Sequence, residues 1–253
     1  MATTIITSLI IGLITGAFGG ILGIGGGLIM IPLMVEVLKL SQLKAHGTSL
    51  LALVFTGIGG AVTYALNGAI DFTAATLLAL TAVITSPIGA RYCNVLTEAK
   101  LKKYFGAFLI FCSVLLLLKP YLTNFIGTVP GYAKIIILLI TGTFTGFLSG
   151  MMGIGGGTIM IPVMVILTGF TQHLAQGTSL LVMVPAGAIG AFTHWKMGNV
   201  EKTILWGLIP GIIVGTYLGG NLAHLISNNT LRMIFACIIM FLGVRYFRTS
   251  SPE

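Results

Sequence analysis

Two glycine stretches are the residues of this sequence whose type and spacing best suit a chemical task. Gly25, Gly26 and Gly27 are followed by Leu28, and Gly155, Gly156 and Gly157 are followed by Thr158. Glycine lets a ligand approach the backbone closely, and a helix that restarts after such a break points free N–H groups and a positive dipole end at it. Two such ends brought together would form a cradle for an anion. Close packing of kinked helices is the alternative interpretation.

A second repeated element supplies hydroxyl groups close behind each glycine stretch. It reads HGTSLL from His46 and QGTSLL from Gln176. Its hydroxyls could cap the following helix or donate hydrogen bonds to an anion, and His46 could take up a proton or simply pack. Tyr64 and His194, at matching positions, are expected near a helix end at the membrane interface. Besides the two glycine stretches and the residue after each, the candidate anion-binding residues are Thr48, Ser49, Thr178, Ser179, His46, Gln176 and Arg91.

Other kinds of chemistry have no matching pattern. Cys93, Cys112 and Cys237 lack metal-binding or disulfide spacing, and no Lys-Ser/Thr follows the glycines as it would in a nucleotide-binding loop. We find no paired carboxylates, metal-ligand cluster or Ser-His-Asp set, so we predict no catalytic residues, no metal and no cofactor. The scarcity of acidic residues within the apolar runs also argues against a cation transporter.

The composition excludes a soluble domain. Of 253 residues, 56% are hydrophobic and 7% charged, whereas soluble domains carry about 25% charged residues. The net charge of +8 would suit nucleic acid in a soluble protein, but here the cations lie between apolar runs and indicate membrane orientation. We predict an integral membrane protein whose partner is the lipid bilayer and not a nucleic acid.

The chain is an internal repeat. A shift of 130 residues, which carries Gly25 onto Gly155, aligns the two halves without a gap. We divide the chain into a first membrane repeat (1–118), a linker (119–131) and a second membrane repeat (132–253). Small residues also recur every fourth position and indicate close helix packing; they are Gly12, Gly16, Gly20, Gly142, Gly146, Gly150, Gly211, Gly215 and Gly219.

Each half is predicted to contain one broken segment and three ordinary transmembrane helices. The broken segments cover about 5–39 and 133–169. A spanning helix needs about 20 apolar residues, so each segment is too long for one span. Divided at the glycines, it yields pieces of about 14 and 12 residues, which we interpret as a hairpin of two half-helices near the bilayer midplane. The ordinary spans are 47–66, 70–92, 102–118, 177–196, 201–223 and 231–247.

The distribution of cations favours opposite orientations for the two halves. If each hairpin returns to its own side, each half crosses three times, and ten cations face three. If each broken segment crosses once, seven face six. The first arrangement has the asymmetry expected of cytoplasmic loops, so it predicts inverted repeats with both termini in the cytoplasm. The ten are Lys39, Lys44, Arg91, Lys100, Lys102, Lys103, Lys196, Lys202, Arg245 and Arg248, and the three are Lys119, Lys134 and Arg232.

The duplicated motifs resemble those of the sulfite exporter TauE/SafE family. They are GILGIGGGLIMIPLM and GMMGIGGGTIMIPVM, each followed by GTSL. The resemblance implies an all-α transporter of two homologous halves in the inner membrane of a prokaryotic cell. It further implies a small sulfur-containing oxyanion as substrate, such as sulfite, thiosulfate or an organosulfonate, or another small organic anion.

A secondary carrier with alternating access is therefore the leading functional hypothesis, and proton coupling through His46 is an open variant of it. A passive anion channel of the same architecture is the first alternative. An intramembrane enzyme and a structural assembly factor are further alternatives; the residues offer no catalytic set for the former. Direction of transport, coupling ion and oligomeric state are not encoded in these motifs.

Overall fold

The computed structural model describes residues 2–93, 106–107, 109–118 and 131–249, and its regular structure in these ranges is entirely helical. Seven of the helices are long and apolar enough to cross a membrane. The all-α membrane fold is thus confirmed. The helices are α1 (Ala2–Leu22), α2 (Gly27–Glu36), α3 (Gln42–Leu66), α4 (Phe72–Tyr92), α5 (Leu109–Leu118), α6 (Gly131–Met152), α7 (Gly157–Leu167), α8 (Gln172–Lys196), α9 (Lys202–His224) and α10 (Asn228–Thr249).

Both broken segments end one helix and begin another at the glycines, as predicted, but the arms are unequal. The first arms, α1 and α6, have 21 and 22 residues, and the second arms, α2 and α7, have 10 and 11. The expectation that both pieces are too short to cross is therefore wrong for the first arm. Each first arm packs along a full-length helix of the other half, which supports it over its whole length.

The fourth-position glycines make this packing close. Gly16 of α1 lies so near α9 that an added Cβ would be 2.6 Å from the Ile212 carbonyl oxygen, and Gly20 repeats the contact at Thr216. On α6, Gly142, Gly146 and Gly150 pack in the same way against the backbone of α4. The predicted packing role of these glycines is confirmed, since small residues allow helices in lipid to approach closely.

The register of these contacts fixes the relative directions of the helices. Along α1 and α9 both residue numbers increase together, from Gly12 at Leu208 to Gly20 at Thr216, so the two helices run parallel. The same holds for α6 and α4. Helix α3 runs antiparallel to α8, because Gly57 meets Leu180 while Gly187 meets Leu50.

The helix that follows each hairpin begins earlier than expected. Ser41 accepts a hydrogen bond from the Lys44 amide at the start of α3, and Thr171 accepts one from the Leu174 amide at the start of α8. Thr48 and Thr178 consequently lie inside their helices, beyond the first turn. The capping interpretation of the GTS hydroxyls is therefore wrong, and these side chains are available for contacts between helices.

Two ends of the helix bundle differ in their cations. Among the described residues, the end that holds the start of α3 and the end of α8 carries Lys39, Lys44, Arg91, Lys196, Lys202, Arg245 and Arg248. We call it the cation-rich end. The opposite end, which we call the cation-poor end, carries Lys134 and Arg232 of the described residues. The predicted linker 119–131 lies outside the described ranges except for Gly131, which begins α6.

Candidate functional site

The two glycine breaks meet inside the bundle. A Cβ added to Gly157 would lie 2.5 Å from the Gly23 carbonyl oxygen and 2.8 Å from Ile24 Cα. A Cβ added to Gly27 would lie 2.7 Å from the Gly153 carbonyl oxygen and 2.8 Å from that of Ile154. The start of each short helix thus rests on the loop that begins the other break, and the two contacts are related by the repeat shift. We call this region the glycine crossing.

Backbone conformation differs between the matching glycines that precede the short helices. Gly26 has φ 80°, in the left-handed region, whereas Gly156 has φ −78°. Only glycine adopts the left-handed region at little cost, so position 26 requires it for backbone reasons. Position 156 does not, and the atom nearest to an added Cβ there is the terminal methyl of Met160.

Both short helices begin without a side-chain cap. The N-cap residues are Gly26 and Gly156, and neither position supplies a side-chain hydrogen bond to the first amides of α2 or of α7. Within each helix the first internal donors are the third and fourth amides, for example Ile29 and Met30 to the Gly26 carbonyl oxygen at 3.1 and 3.0 Å. The earliest N–H groups of a helix have no partner within it, so the amides of Gly27, Leu28, Gly157 and Thr158 are the donors available at the crossing.

The two GTS serines bind the crossing loops. Ser49 Oγ donates to the Gly153 carbonyl oxygen at 2.7 Å, and Ser179 Oγ donates to the Gly23 carbonyl oxygen at 2.7 Å. Both side chains are fully buried. A serine hydroxyl has one proton, and here two carbonyl oxygens share it, because Ser49 Oγ also lies 2.9 Å from the His46 carbonyl oxygen and Ser179 Oγ lies 2.9 Å from that of Gln176. In this conformation the serines therefore position the loops.

The two GTS threonines bind the loops between the long helices. Thr48 Oγ1 accepts a hydrogen bond from the Glu201 amide at 2.9 Å, and Thr178 Oγ1 accepts one from the Asp71 amide at 3.0 Å. Glu201 and Asp71 immediately precede α9 and α4. Each threonine thus ties its helix to the other half of the chain, and the two bonds again differ by the repeat shift.

His46 and Gln176 lie at matching places beside the crossing. His46 Nδ1 hydrogen-bonds to the Met152 carbonyl oxygen, and because a carbonyl only accepts, Nδ1 carries the proton. Gln176 lies against Gly23, and its Oε1 is 3.1 Å from the Tyr64 hydroxyl. Both residues are buried.

Tyr64 and His194 lie near helix ends, as predicted, but within the protein and not at its interface with lipid. Both are fully buried. The Tyr64 hydroxyl donates to the Gly20 carbonyl oxygen at 2.9 Å, and His194 Nε2 is 2.9 Å from the Gly150 carbonyl oxygen. Their polar atoms thus bond to backbone carbonyl groups in the last turn of the helix before each break. These bonds explain why both side chains are buried.

A cavity of about 200 Å³ leads towards the crossing from the cation-rich end. We call it the vestibule. Leu28 and His46 line its inner part, and Glu36 and Arg245 lie at its mouth, where Arg245 Nη2 is 3.6 Å from Glu36 Oε1. Its lining residues are Leu28, Ile31, Pro32, Val35, Glu36, Gln42, His46, Met152, Ile154, Leu242 and Arg245.

The remaining predicted residues divide between the crossing and the surface. Gly155 and Thr158 line a crevice on the second-repeat side that is too narrow for a water molecule. Arg91 is exposed in the last turn of α4 and does not line the vestibule. Among the described residues, the cation that lines the vestibule is Arg245, which was predicted only to mark the cation-rich side of the membrane. Its partner Glu36, near the end of a short helix, lies far from it in the sequence, so no local pattern linked the two residues.

The fold and the site together define an integral membrane protein. The glycine crossing lies inside its helical bundle, and a cavity opens from there to one end. Such broken helices are tolerated in membranes where they are buried or line a cavity, and they are characteristic of transporters. The chain belongs to the sulfite exporter TauE/SafE family, whose family model matches residues 8–246. It is accordingly a membrane transporter of that family.

Relatives of similar length support this membership. The chain is 27% identical over 264 residues to the probable membrane transporter protein YunE of Bacillus subtilis, covering 92% of this chain and 94% of YunE. It is 28% identical to the probable membrane transporter protein MJ0441 of Methanocaldococcus jannaschii, covering 93% and 92%. No solved structure matches the chain.

Proposed function

We propose that this protein is a secondary transporter of small sulfur-containing oxyanions, such as sulfite, thiosulfate or an organosulfonate. The observation that supports this proposal best is the contact between the two breaks, where Gly157 meets Gly23 and Gly27 meets Gly153. Because this contact brings two uncapped helix starts to one place, their amides and dipole ends can share one anion.

The backbone amides of Gly27, Leu28, Gly157 and Thr158 are the proposed anion donors. Among the described residues, no carboxylate lines the inner part of the vestibule; the acidic residue of its lining, Glu36, lies at the mouth and is paired with Arg245. Gly25, Gly26, Gly155 and Gly156 shape the loops. Ser49 and Ser179 hold the loops through the bonds described above, and Thr48 and Thr178 hold the neighbouring helices.

Alternating access is the proposed mechanism, with the two repeats inverted in the membrane. The parallel pairs α1–α9 and α4–α6, combined with antiparallel α3 and α8, support opposite directions for matching helices of the two halves. The vestibule then serves as the substrate path from the cation-rich end. The division into repeats 1–118 and 132–253 is part of this proposal.

The proposed orientation rests on the charges. Cytoplasmic loops are enriched in Lys and Arg, so the cation-rich end is assigned to the cytoplasm. Both chain termini belong to that end in this assignment, because α1 starts and α10 ends there. For a prokaryotic transporter the corresponding membrane is the inner membrane.

Proton coupling through His46 is a further part of the proposal. His46 lines the vestibule and contacts the loop carbonyl of Met152, so a change in its protonation acts directly on the second break. Arg91 has a lesser role in this scheme, as a cation that attracts anions to the cytoplasmic surface.

The experiment is anion flux in proteoliposomes. A panel of sulfite, thiosulfate, sulfoacetate and sulfate, with and without a proton gradient, identifies the substrate and tests coupling. Saturable flux with counterflow is expected for the carrier. Rapid flux that does not saturate supports a passive channel of the same architecture, and saturable flux of carboxylates alone supports a carrier of other small organic anions.

A further inference from the structure

The vestibule has a counterpart at the cation-poor end that is closed. The repeat shift carries Gln42 and His46 of the vestibule onto Gln172 and Gln176. Gln42 is exposed, whereas Gln172 is 2% exposed and Gln176 is fully buried. The first repeat is therefore open to solvent at Gln42, whereas the second repeat is closed at the matching Gln172.

The closed counterpart contains amide groups without hydrogen-bond partners. Neither Nε2 nor Oε1 of Gln172 has a partner among the described residues, and Nε2 of Gln176 also lacks one. Turning the Gln176 amide would let it donate to Tyr64 instead, but the other amide atom would then be unpaired. Buried amides are normally paired, because an unpaired one costs free energy. Exposure to water would give the amides of these two glutamines hydrogen-bond partners, so the unpaired groups favour a conformation in which this end is hydrated.

A set of polar contacts closes this end. The His173 amide donates to Asn228 Oδ1 at 3.1 Å, and His173 Nδ1 is 2.7 Å from the same oxygen. His173 Nε2 is 2.9 Å from the Ala223 carbonyl oxygen. These contacts, which we call the α8 latch, attach the first turn of α8 to the corner between α9 and α10.

We propose that Gln172 and Gln176 line a second vestibule, through which the oxyanion reaches the glycine crossing from the cation-poor end when the α8 latch opens. Their amide N–H groups are neutral donors for the anion. At the mouth, the counterparts of Glu36 and Arg245 are Ile166 and Leu115, so the amides supply the polar contacts that charged side chains supply at the other end. This inference rests on the proposed alternating access.

Cysteine labelling tests it in the full chain reconstituted in vesicles, after Cys93, Cys112 and Cys237 are replaced with alanine. Gln172→Cys and its matched control Gln42→Cys are treated with a membrane-impermeant thiol reagent from each side in turn. We expect the two cysteines to react from opposite sides. Adding Asn228→Ala should raise the labelling rate of Gln172→Cys about fivefold and lower that of Gln42→Cys, because opening one end closes the other.

Counterflow measured on the cysteine-free parent chain separates the possible failures. If the parent shows counterflow but Gln172→Cys stays unreactive, or reacts from the same side as Gln42→Cys, the second vestibule is refuted and the transporter stands. If Asn228→Ala raises both labelling rates, it loosens the protein generally, and the latch is refuted. If wild-type vesicles show no counterflow, the proposed function fails and this inference fails with it.

Discussion

Gly157 packs so closely on Gly23 that a Cβ added to Gly157 would lie 2.5 Å from the Gly23 carbonyl oxygen. The matching contact joins Gly27 to Gly153. These residues belong to different halves of the chain, so the short helix after each break packs on the loop of the other break. A substitution at one crossing glycine therefore acts on both breaks at once.

Gly157→Ala should reduce anion flux on the order of tenfold, because overpacking a tight contact typically costs about 1–3 kcal/mol and this contact joins the two loops. Flux into proteoliposomes, normalised to folded protein, measures the effect. Gly156→Ala is the control, since position 156 has φ −78° and faces the flexible end of Met160. Equal flux for the two variants would show that the close contact at Gly157 does not matter for transport.

Gly26→Ala should lower the midpoint of thermal unfolding in detergent more than Gly156→Ala does. The left-handed φ of 80° at Gly26 costs a residue with a Cβ about 1–2 kcal/mol, and the added atom also overlaps the Thr15 carbonyl oxygen. A larger loss for Gly156→Ala would show that the two breaks have been assigned the wrong conformations.

Ser49→Ala and Ser179→Ala should each destabilise the protein by about 1–3 kcal/mol, since each leaves a buried carbonyl of the crossing without its donor. Thermal unfolding of the purified protein measures this. Thr76→Ala is the control, because the Thr76 hydroxyl is exposed and bonds only within its own helix. Serine variants as stable as the control would exclude the positioning role.

Arg245→Gln should raise the KM for the anion about two- to fivefold at low salt, with less effect at high salt, because an exposed cation attracts anions by a field that salt screens. Glu36→Gln should lower KM, since it removes the carboxylate that pairs with Arg245 at 3.6 Å. Arg248→Gln, an exposed cation further along α10, is the control. Identical KM changes for Arg245→Gln and Arg248→Gln would show that the mouth of the vestibule does not lie on the substrate path.

Acid should weaken the contact between α3 and α9. The hydrogen bond from Lys44 lowers the pKa of Glu201 below its ordinary value of 4.5. The pair therefore stabilises the folded protein above pH 4.5, and this contribution is lost as the pH falls through the lower folded pKa. Because both groups are partly exposed, it amounts to less than about 1 kcal/mol.

The pH prediction is checked by comparing thermal unfolding of the wild type and Glu201→Gln across this range. The wild type should be the more stable at neutral pH, and the difference should shrink below pH 4.5. A difference that grows on acidification would mean that the pKa shift has the opposite sign.

Membrane class, helical content and the position of both breaks were predictable, because apolar composition and glycine clusters act locally. The repeat also predicted which residues would occupy matching places, such as Ser49 and Ser179. The contact between the breaks was a hypothesis that the sequence supported only through symmetry. It depends on helices that lie far apart in the chain.

Other features of the site were not predictable from local patterns. The length of α1 follows from its packing on α9, and the burial of Tyr64 follows from its bond to the Gly20 carbonyl oxygen. The pairing of Arg245 with Glu36 joins α10 to α2 across most of the chain. The difference between Gln42 and Gln172 is a property of one conformation, and the motifs that both halves share do not encode which half is open.

The location of a bound anion would show whether the glycine crossing is the binding site. Selenite has the charge and shape of sulfite, and selenium can be located in crystals of the protein by anomalous scattering. We expect a selenium peak within hydrogen-bonding distance of the amide nitrogens of Gly27 and Leu28 or of those of Gly157 and Thr158. A peak at Arg245 alone, with none at the glycine crossing under conditions that saturate transport, would contradict this expectation.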